Sequence, residues 1–121
     1  MCKCTCADPQ GMDDLESKIG KVPLIFRELA ERDPQMHDFV LKMDNFIWND
    51  GAITRKTKKL IAIAIAAALR DQHAIRAQMA GASNLGVTSE EIDEALRVTY
   101  LLAGMPAYVG GKAAQHEIMG E

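Results

Sequence analysis

Aromatic residues, long apolar runs and excess charge are all scarce in this chain of 121 residues. Aromatics make up only 5% of it, so a core must be built mostly from Ala, Ile, Leu, Val and Met, which suits closely packed helices. No apolar run reaches the roughly 20 residues of a spanning helix, and no apolar stretch indicates a signal peptide. The formal net charge of −3 argues against nucleic acid as a partner. We therefore expect a cytoplasmic protein with neither a membrane nor a nucleic-acid partner.

Cysteine is absent after the first six residues, where it occurs as Cys2, Cys4 and Cys6. A cytoplasmic compartment would keep these thiols reduced. In an extended segment the three sulfurs could share one face, and could bind Zn²⁺ or Cu(I) or form a redox pair. A tail with incidental thiols is the other interpretation. Because no second cluster completes a site, we assign no metal and no cofactor. Residues 1–11 are predicted to be a flexible tail before a single domain, 12–121.

Helical periodicity runs through most of this domain, and glycine, proline or aspartate separates the periodic segments. The predicted helices are Met12–Lys18, Pro23–Arg32, Gln35–Trp48, Arg55–Leu69, Asp71–Leu85, one from Ser89 and one from Pro106. We predict an all-α, single-domain bundle of about six or seven helices. At its centre we expect an antiparallel pair, Arg55–Leu69 with Asp71–Leu85.

The helix ends carry recognisable signals. Thr54 and Asp71 are predicted N-caps, Thr88 with Glu91 fits a capping box, and Gly86 suits the residue after a helix. From residue 60 onward the central helix is apolar on nearly every side, which predicts a buried position. A buried strand is the competing interpretation of its isoleucines, but its alanines and its length favour a helix.

Four cations open this central helix: Arg55, Lys56, Lys58 and Lys59. Their sign opposes the helix macrodipole by roughly 0.3–1 kcal/mol for each well-placed charge. Solvent could compensate, as could acidic side chains such as Asp50 or those of a neighbouring subunit. The functional interpretation is an anion pocket in which Lys59 and Arg76 are charge partners.

The remaining polar and aromatic candidates are scattered. His37 and His116 each lie alone on an amphipathic helix, and we interpret them as polar-face or interface residues rather than ligands. Trp48, Tyr100 and Tyr108 could line a pocket or seal a subunit contact.

The layout of the second half resembles a known family. The segments Thr57–Leu69, Arg70–Gln78, Gly86–Ile92 and Gly104–Ala107 resemble the carboxymuconolactone decarboxylase and alkylhydroperoxidase D family, over roughly Phe39–Glu117. The resemblance implies a helical fold and a homo-oligomer, either a trimer or a hexamer of trimers. It also places any pocket at a subunit interface.

Many members of that family carry Cys-x-x-Cys-x-x-x-His, which this chain lacks. By the resemblance, counted back from Gly86, the histidine position falls on Gln78 and the two cysteine positions on Asp71 and Ala74. The position of the acidic proton carrier falls on Lys59. These identities remove the family's internal thiol chemistry from that place.

Two enzymatic hypotheses and one non-enzymatic hypothesis follow. The first is an alkylhydroperoxidase-like, peroxiredoxin-type antioxidant activity that uses the thiols of the tail. The second is a carboxy-lyase acting on a small carboxylated lactone or a related organic acid. The third is a non-catalytic oligomeric homologue. The small-molecule substrate would accordingly be a hydroperoxide or an organic acid.

The candidate site residues cover both enzymatic hypotheses. His73 is included because it precedes a lost cysteine position, and Tyr108 because its hydroxyl suits a polar ligand. The predicted catalytic residues are Cys2, Cys4, Cys6, Lys59, His73 and Gln78. The predicted substrate-binding residues are Lys59, Asp71, Arg76, Gln78 and Tyr108.

Overall fold

The computed structural model describes residues 9–120, which form seven α-helices. They are α1 (Pro9–Ile19), α2 (Leu24–Arg32), α3 (Pro34–Trp48), α4 (Arg55–Leu69), α5 (Gln72–Asn84), α6 (Ser89–Ala103) and α7 (Met105–Met119). No strand occurs within this range, so the all-α prediction is confirmed. Cys2, Cys4 and Cys6 lie outside the described residues, and the predicted division into tail and domain stays a prediction.

The helices form two packed groups. In the larger group, α4 packs against α5, α6 and α7, and both α5 and α6 pack against α7. Only two residues connect α4 to α5, so the chain reverses there and the predicted antiparallel pair is confirmed. In the smaller group, α1 and α2 pack on α3, and α1 also reaches α4. No helix within the described range combines the length and apolar character that crossing a bilayer requires.

Each group has its own apolar core. The larger core joins α4, α5, α6 and α7 through Ile63, Ile75, Met79, Leu96 and Ala114, all at most 1% exposed. The smaller core is formed by Met12, Leu15, Ile19, Val22 and Leu41. Burial of these aliphatic side chains is the main favourable contribution to the free energy of packing the helices together.

The predicted caps are present. The Thr54 side chain accepts the Thr57 N–H, and the Asp71 side chain accepts the Ala74 N–H. Thr88 and Glu91 form the complete capping box at the start of α6. The hydrogen bond from the Thr88 backbone N–H holds the pKa of the Glu91 carboxyl below its usual value.

Some helix starts differ from the prediction. Helix α1 begins at Pro9, three residues before the expected start at Met12, and its Met12 and Leu15 are fully buried. The burial of Met12 and Leu15 therefore goes together with a helix that begins earlier, in a polar segment whose sequence has no helical period. Helix α3 starts one residue early, at Pro34, because Asp33 caps it by accepting the Met36 N–H.

The expected burial of α4 on nearly every side is wrong for this single chain. Ile63, Ala66 and Ala67 are buried, but one apolar stripe of the helix is exposed. Ile61 and Ile65 keep 44% and 54% of their surface. Four helices, α1, α5, α6 and α7, pack on α4, and none of the described residues covers this stripe fully.

A backbone-to-backbone contact joins the two groups of helices. A Cβ built on Gly20 would collide with the backbone of Gly81, and a Cβ on Gly81 would collide with the carbonyl oxygen of Ile19. Gly20 also has a φ of +88°, which disfavours other residues. Asn84 Nδ2 donates to the Gly20 carbonyl at 2.7 Å, which fixes the end of α1 against α5.

We therefore expect Gly81→Ala to destabilise the protein by about 1–3 kcal/mol, because the added methyl has to displace backbone. Gly51→Ala is the matched control, since a Cβ at Gly51 meets nothing within 4 Å. Urea unfolding of both variants measures the difference. Equal stability of the two variants would contradict the close contact.

Candidate functional site

The most unusual side chain of the bundle is Lys59, which is only 2% exposed. It lies on the buried face of α4, one helical turn before Ile63 and two before Ala67. Its Nζ donates to Oε1 of Gln78 on α5 at 2.8 Å. The two helices of the central pair thus bring together two predicted site residues that lie 19 positions apart in sequence.

An indole and a glycine complete the surroundings of this ammonium group. Nζ lies 4.5 Å from the centroid of the Trp48 ring, in a cation–π arrangement. A Cβ on Gly81 would come within 2.9 Å of Nζ, so the absence of a side chain there makes room for Lys59. None of the ion pairs within residues 9–120 involves Lys59.

Two of the other cations at the start of α4, Arg55 and Lys58, have partners within the chain. Arg55 Nε lies 3.5 Å from the Asp50 carboxylate, as the sequence suggested. Lys58 Nζ donates to the carbonyl oxygens of Ile47 and Asn49 at 2.7 and 2.6 Å. Those carbonyls belong to the C-terminal end of α3, where a cation is favourable. Lys59 is the member of the group that combines burial with a neutral hydrogen-bond partner.

Burial has an electrostatic consequence for this amine. Desolvation lowers the pKa of Lys59 from 10.5 to about 8. Gln78 accepts a hydrogen bond but brings no negative charge that would restore the usual pKa. Lys59 can therefore exist as ammonium or as free amine near neutral pH, and both forms can be chemically useful.

A cavity of about 690 Å³ is lined in part by Trp48, whose ring contacts Lys59, whereas Lys59 itself is not among the lining residues. The lining of the cavity is mainly apolar and comes from the end of α3, the following connection and the exposed stripe of α4. Among its lining residues are Phe46, Ile47, Trp48, Lys58, Ile61 and Ile65. Trp48 links the two features, because it lines the cavity and its ring contacts Lys59. The arrangement suits a small, partly apolar molecule that carries an anionic group.

The remaining predicted residues of α5 lie elsewhere. Asp71 is exposed and serves as the N-cap of the helix. His73 and Arg76 line a different cavity, of about 520 Å³, together with Lys21 and Ile118. Arg76 is already paired there with the Glu117 carboxylate at 3.0 Å.

Tyr108 is likewise separate from the Lys59 cavity. Its ring packs edge-to-face on Tyr100, with centroids 5.8 Å apart, and both tyrosines line a small cavity with Arg97 and Met105.

The interpretation of His37 as a polar-face residue is wrong. His37 is 1% exposed, and its Nδ1 has no hydrogen-bond partner among the described residues, although the Asp38 carboxylate lies 3.7 Å away. It lies on α3 one turn before the buried Leu41, so it follows the apolar face of the helix rather than the polar one. His116 is exposed. Within residues 9–120 no cluster of His, Cys, Asp and Glu could hold a metal ion.

Comparison with known proteins identifies the class of this bundle. The crystal structure of a candidate carboxymuconolactone decarboxylase from Burkholderia xenovorans LB400 superposes with a TM-score of 0.77. The match covers 92% of this chain and 87% of the other at 24% identity, which shows a shared fold. The class is therefore an all-α protein of the carboxymuconolactone decarboxylase fold.

Sequence comparison shows the family itself. The profile of the carboxymuconolactone decarboxylase family matches residues 34–116, and the chain belongs to that family. An uncharacterized protein of Methanocaldococcus jannaschii is 42% identical over 81 residues, covering 66% of this chain and 78% of its own. The 4-carboxymuconolactone decarboxylase of Acinetobacter baylyi is 32% identical over 89 residues, covering 67% of this chain and 64% of its own.

Trp48 was not among the predicted catalytic or substrate-binding residues, and Lys59 was not expected to be buried. A signal for its burial was present, because residues 59, 63, 66 and 67 fall on one face of a helix of 3.6 residues per turn. No comparable signal in the sequence indicates the contact between Trp48 and Lys59.

We expect Lys59→Met to raise the free energy of unfolding at pH 7 by about 1–3 kcal/mol, because it removes a buried charge without an ionic partner. Below pH 8 both the folded and the unfolded chain hold the lysine proton, so the whole penalty of burial is present. Between pH 8 and 10.5 the unfolded chain binds more protons, and wild-type stability rises with pH. The advantage of the variant should shrink over that window, as measured by urea unfolding at pH 7 and pH 10.

Two controls belong to this measurement. Lys56→Met alters an exposed lysine of the same helix, and its effect on the free energy of unfolding should be the same at pH 7 and pH 10. Trp48 is the single tryptophan of the chain, so its fluorescence should titrate with a midpoint near pH 8 in the wild type and not in Lys59→Met. A gain in stability that is the same at both pH values would rule out a lowered pKa.

Proposed function

We propose that this protein is a carboxy-lyase for a small organic acid and that Lys59 is its proton-exchanging group. The observation that carries the proposal is the burial of this amine against Gln78 and Trp48, with no acidic partner among the described residues and with Trp48 in the wall of an apolar cavity. Membership of the family supports it, as does the likeness to the 4-carboxymuconolactone decarboxylase of Acinetobacter baylyi. For this chain, the substrate class would be a carboxylated lactone or a related acid.

Recognition of the substrate carboxylate would follow from the remaining donor protons and the uncompensated charge of the Lys59 ammonium. An ammonium has three donor protons, and Gln78 accepts one of them. A buried cation without a counter-ion is unfavourable, so a substrate carboxylate would relieve the cost of desolvation. Its negative charge would also raise the pKa of Lys59 and favour the protonated form.

The reaction then needs a single proton. The bond between the substrate and its carboxylate breaks, carbon dioxide leaves, and the electron pair remains on the substrate carbon. Lys59 supplies a proton to that carbon and regains one from water. The apolar wall formed by Phe46, Ile61 and Ile65 would favour the step, because a carboxylate is less stabilised there than in water.

A peroxidase based on the N-terminal thiols remains the alternative proposal. Its support is the presence of Cys2, Cys4 and Cys6 in a chain whose family-equivalent internal positions hold Asp71 and Ala74. The lyase proposal is preferred because the amine that it needs contacts Trp48, which lines an apolar cavity.

We expect Lys59→Arg to lower kcat for decarboxylation of the substrate by at least about 100-fold. Arginine keeps the positive charge but does not release a proton near neutral pH. Release of carbon dioxide from 4-carboxymuconolactone and related acids is the measurement. Lys56→Arg is the matched control and should keep the activity.

A triple Cys2→Ser, Cys4→Ser, Cys6→Ser variant separates the two enzymatic proposals. It should retain the lyase activity in full. If it instead loses turnover of an organic hydroperoxide with a dithiol reductant, while Lys59→Arg retains that turnover, the thiol peroxidase is the correct function.

We also propose that the protein acts as a homo-oligomer, as its resemblance to the family implies. The support is the number of exposed apolar side chains on α3, α4 and α6, some of which line the cavity. They include Phe39, Met43, Phe46, Ile61, Ile65, Leu69, Val98, Leu101 and Leu102, all at least 44% exposed. A soluble monomer rarely leaves so many large apolar side chains uncovered.

We expect Ile65→Glu to shift the protein from an oligomer to a monomer, because it places a charge in the middle of the exposed stripe of α4. Sedimentation equilibrium measures the change. Lys56→Glu, at an exposed polar position of the same helix, should leave the assembly intact. A wild-type protein that sediments as a monomer would exclude the proposal.

A further inference from the structure

We propose that Lys59 reacts covalently, as a free amine that forms an imine with the ketone of a 3-oxo acid, and that such acids are substrates of the lyase. The inference rests on the proposed carboxy-lyase function, and for 3-oxo acids it gives Lys59 the role of nucleophile in place of proton donor. Its basis is the geometry of the amine. Lys59 is 2% exposed, contacts the face of Trp48, and has a neutral amide as its hydrogen-bond partner.

The first requirement of imine formation is an unprotonated amine. An ordinary lysine is almost wholly protonated at pH 7, whereas a pKa of about 8 leaves roughly a tenth of Lys59 as free amine. The surroundings maintain this condition. Gln78 accepts a hydrogen bond from the amine or the ammonium alike, and no carboxylate among the described residues pairs with Nζ. Desolvated lysines of this kind are nucleophiles toward carbonyl carbons.

The second requirement is access. Trp48 is the last residue of α3, and residues 49–54 that follow it are all exposed. The indole is half-buried, contacts Nζ on one side of the site and lines the 690 Å³ cavity. Imine formation therefore requires the indole to turn aside, so that the substrate in the cavity meets the amine. Lys58 lines the same cavity and supplies a second cation for a substrate carboxylate.

The chemistry balances without any group from outside. The Lys59 amine adds to the ketone carbon, and the resulting carbinolamine takes a proton from the solvent and loses one water to give the protonated imine. The bond to the carboxylate then breaks, carbon dioxide leaves, and its electron pair moves to the imine nitrogen to give an enamine. The enamine carbon takes a proton from water. Hydrolysis of the resulting imine consumes one water and returns the ketone and the lysine.

The test is reductive trapping with acetoacetate. Sodium borohydride reduces an imine to a stable amine, so incubation of the full-length protein with acetoacetate and borohydride should inactivate it. Peptide mass spectrometry should then find the reduced acetone adduct on Lys59 at least tenfold more than on any other lysine. Lys59→Arg should abolish the adduct, and Lys56→Arg should retain it.

Gln78→Glu tests the role of the neutral partner. Gln78 is a positioning residue, and a carboxylate in its place should raise the pKa of Lys59 by about one unit. The rate of trapping should then fall about tenfold at pH 7 and recover at pH 9. Gln78→Leu removes the hydrogen bond without adding a charge and should not shift the pH profile upward. A uniform loss at both pH values in Gln78→Glu would indicate a merely structural role and would overturn this part of the inference.

The remaining outcomes separate this inference from the proposed function. Decarboxylation of acetoacetate that depends on Lys59, but leaves no adduct and is insensitive to borohydride, would overturn the imine and keep the proton-transfer function. An adduct that retains the carboxylate would overturn the assignment of 3-oxo acids as lyase substrates. Absence of any reaction with acetoacetate would overturn the inference, while release of carbon dioxide from 4-carboxymuconolactone would still support the proposed function.

Discussion

The burial of one positive charge is the constraint on which the rest of this site depends. A lysine ammonium loses several kcal/mol of hydration when it enters a protein interior, and a carboxylate partner is the usual compensation. At Lys59 the compensation is weaker, because it consists of one amide oxygen and the face of one indole ring. The result is an amine whose two protonation states are close in free energy near neutral pH. Hydrophobic packing along α4 stabilises the fold and offsets the cost of burying this charge.

The smaller group of helices contributes to the site through the main chain. The end of α1 lies against Gly81, and Gly81 in turn leaves the space that the Lys59 ammonium occupies. Trp48 comes from the same group, since it ends α3 and packs on the core of Met12, Leu15 and Val22. The larger group provides the amine and its amide partner, whereas the smaller group provides the indole and closes one side.

Much of the fold could be predicted from the sequence, because its signals are local. The period of α4 and the caps Thr54, Asp71 and Thr88 depend on residues within a few positions of one another, and the structure contains each of them. The site was less predictable. Lys59 and Gln78 were both candidates, but their contact spans two helices, and the burial of Lys59 depends on the absence of a side chain at Gly81.

Two other differences have the same origin. Helix α1 extends upstream to Pro9, and its Met12 and Leu15 pack in a core with Leu41, which is distant in sequence. The local sequence pattern does not reveal packing of this kind. The exposed stripe of α4 was expected to be buried because composition shows that a helix is apolar without showing which sides have neighbours. His37 shows the converse, since a polar residue type occupies a fully buried position.

Lys58 and Lys59 are consecutive, yet they have different surroundings. Lys58 donates to the carbonyl oxygens of Ile47 and Asn49, whereas Lys59 contacts the ring of Trp48. Successive residues of an α-helix point about 100° apart, and Lys59 shares the face of α4 that carries the buried Ile63 and Ala67. A lysine moved from position 59 to position 60 would keep the composition of the helix and the net charge of the chain, but it would leave this face and lose both Gln78 and Trp48. The register of the lysines along α4, rather than their number, therefore decides whether an amine meets the indole.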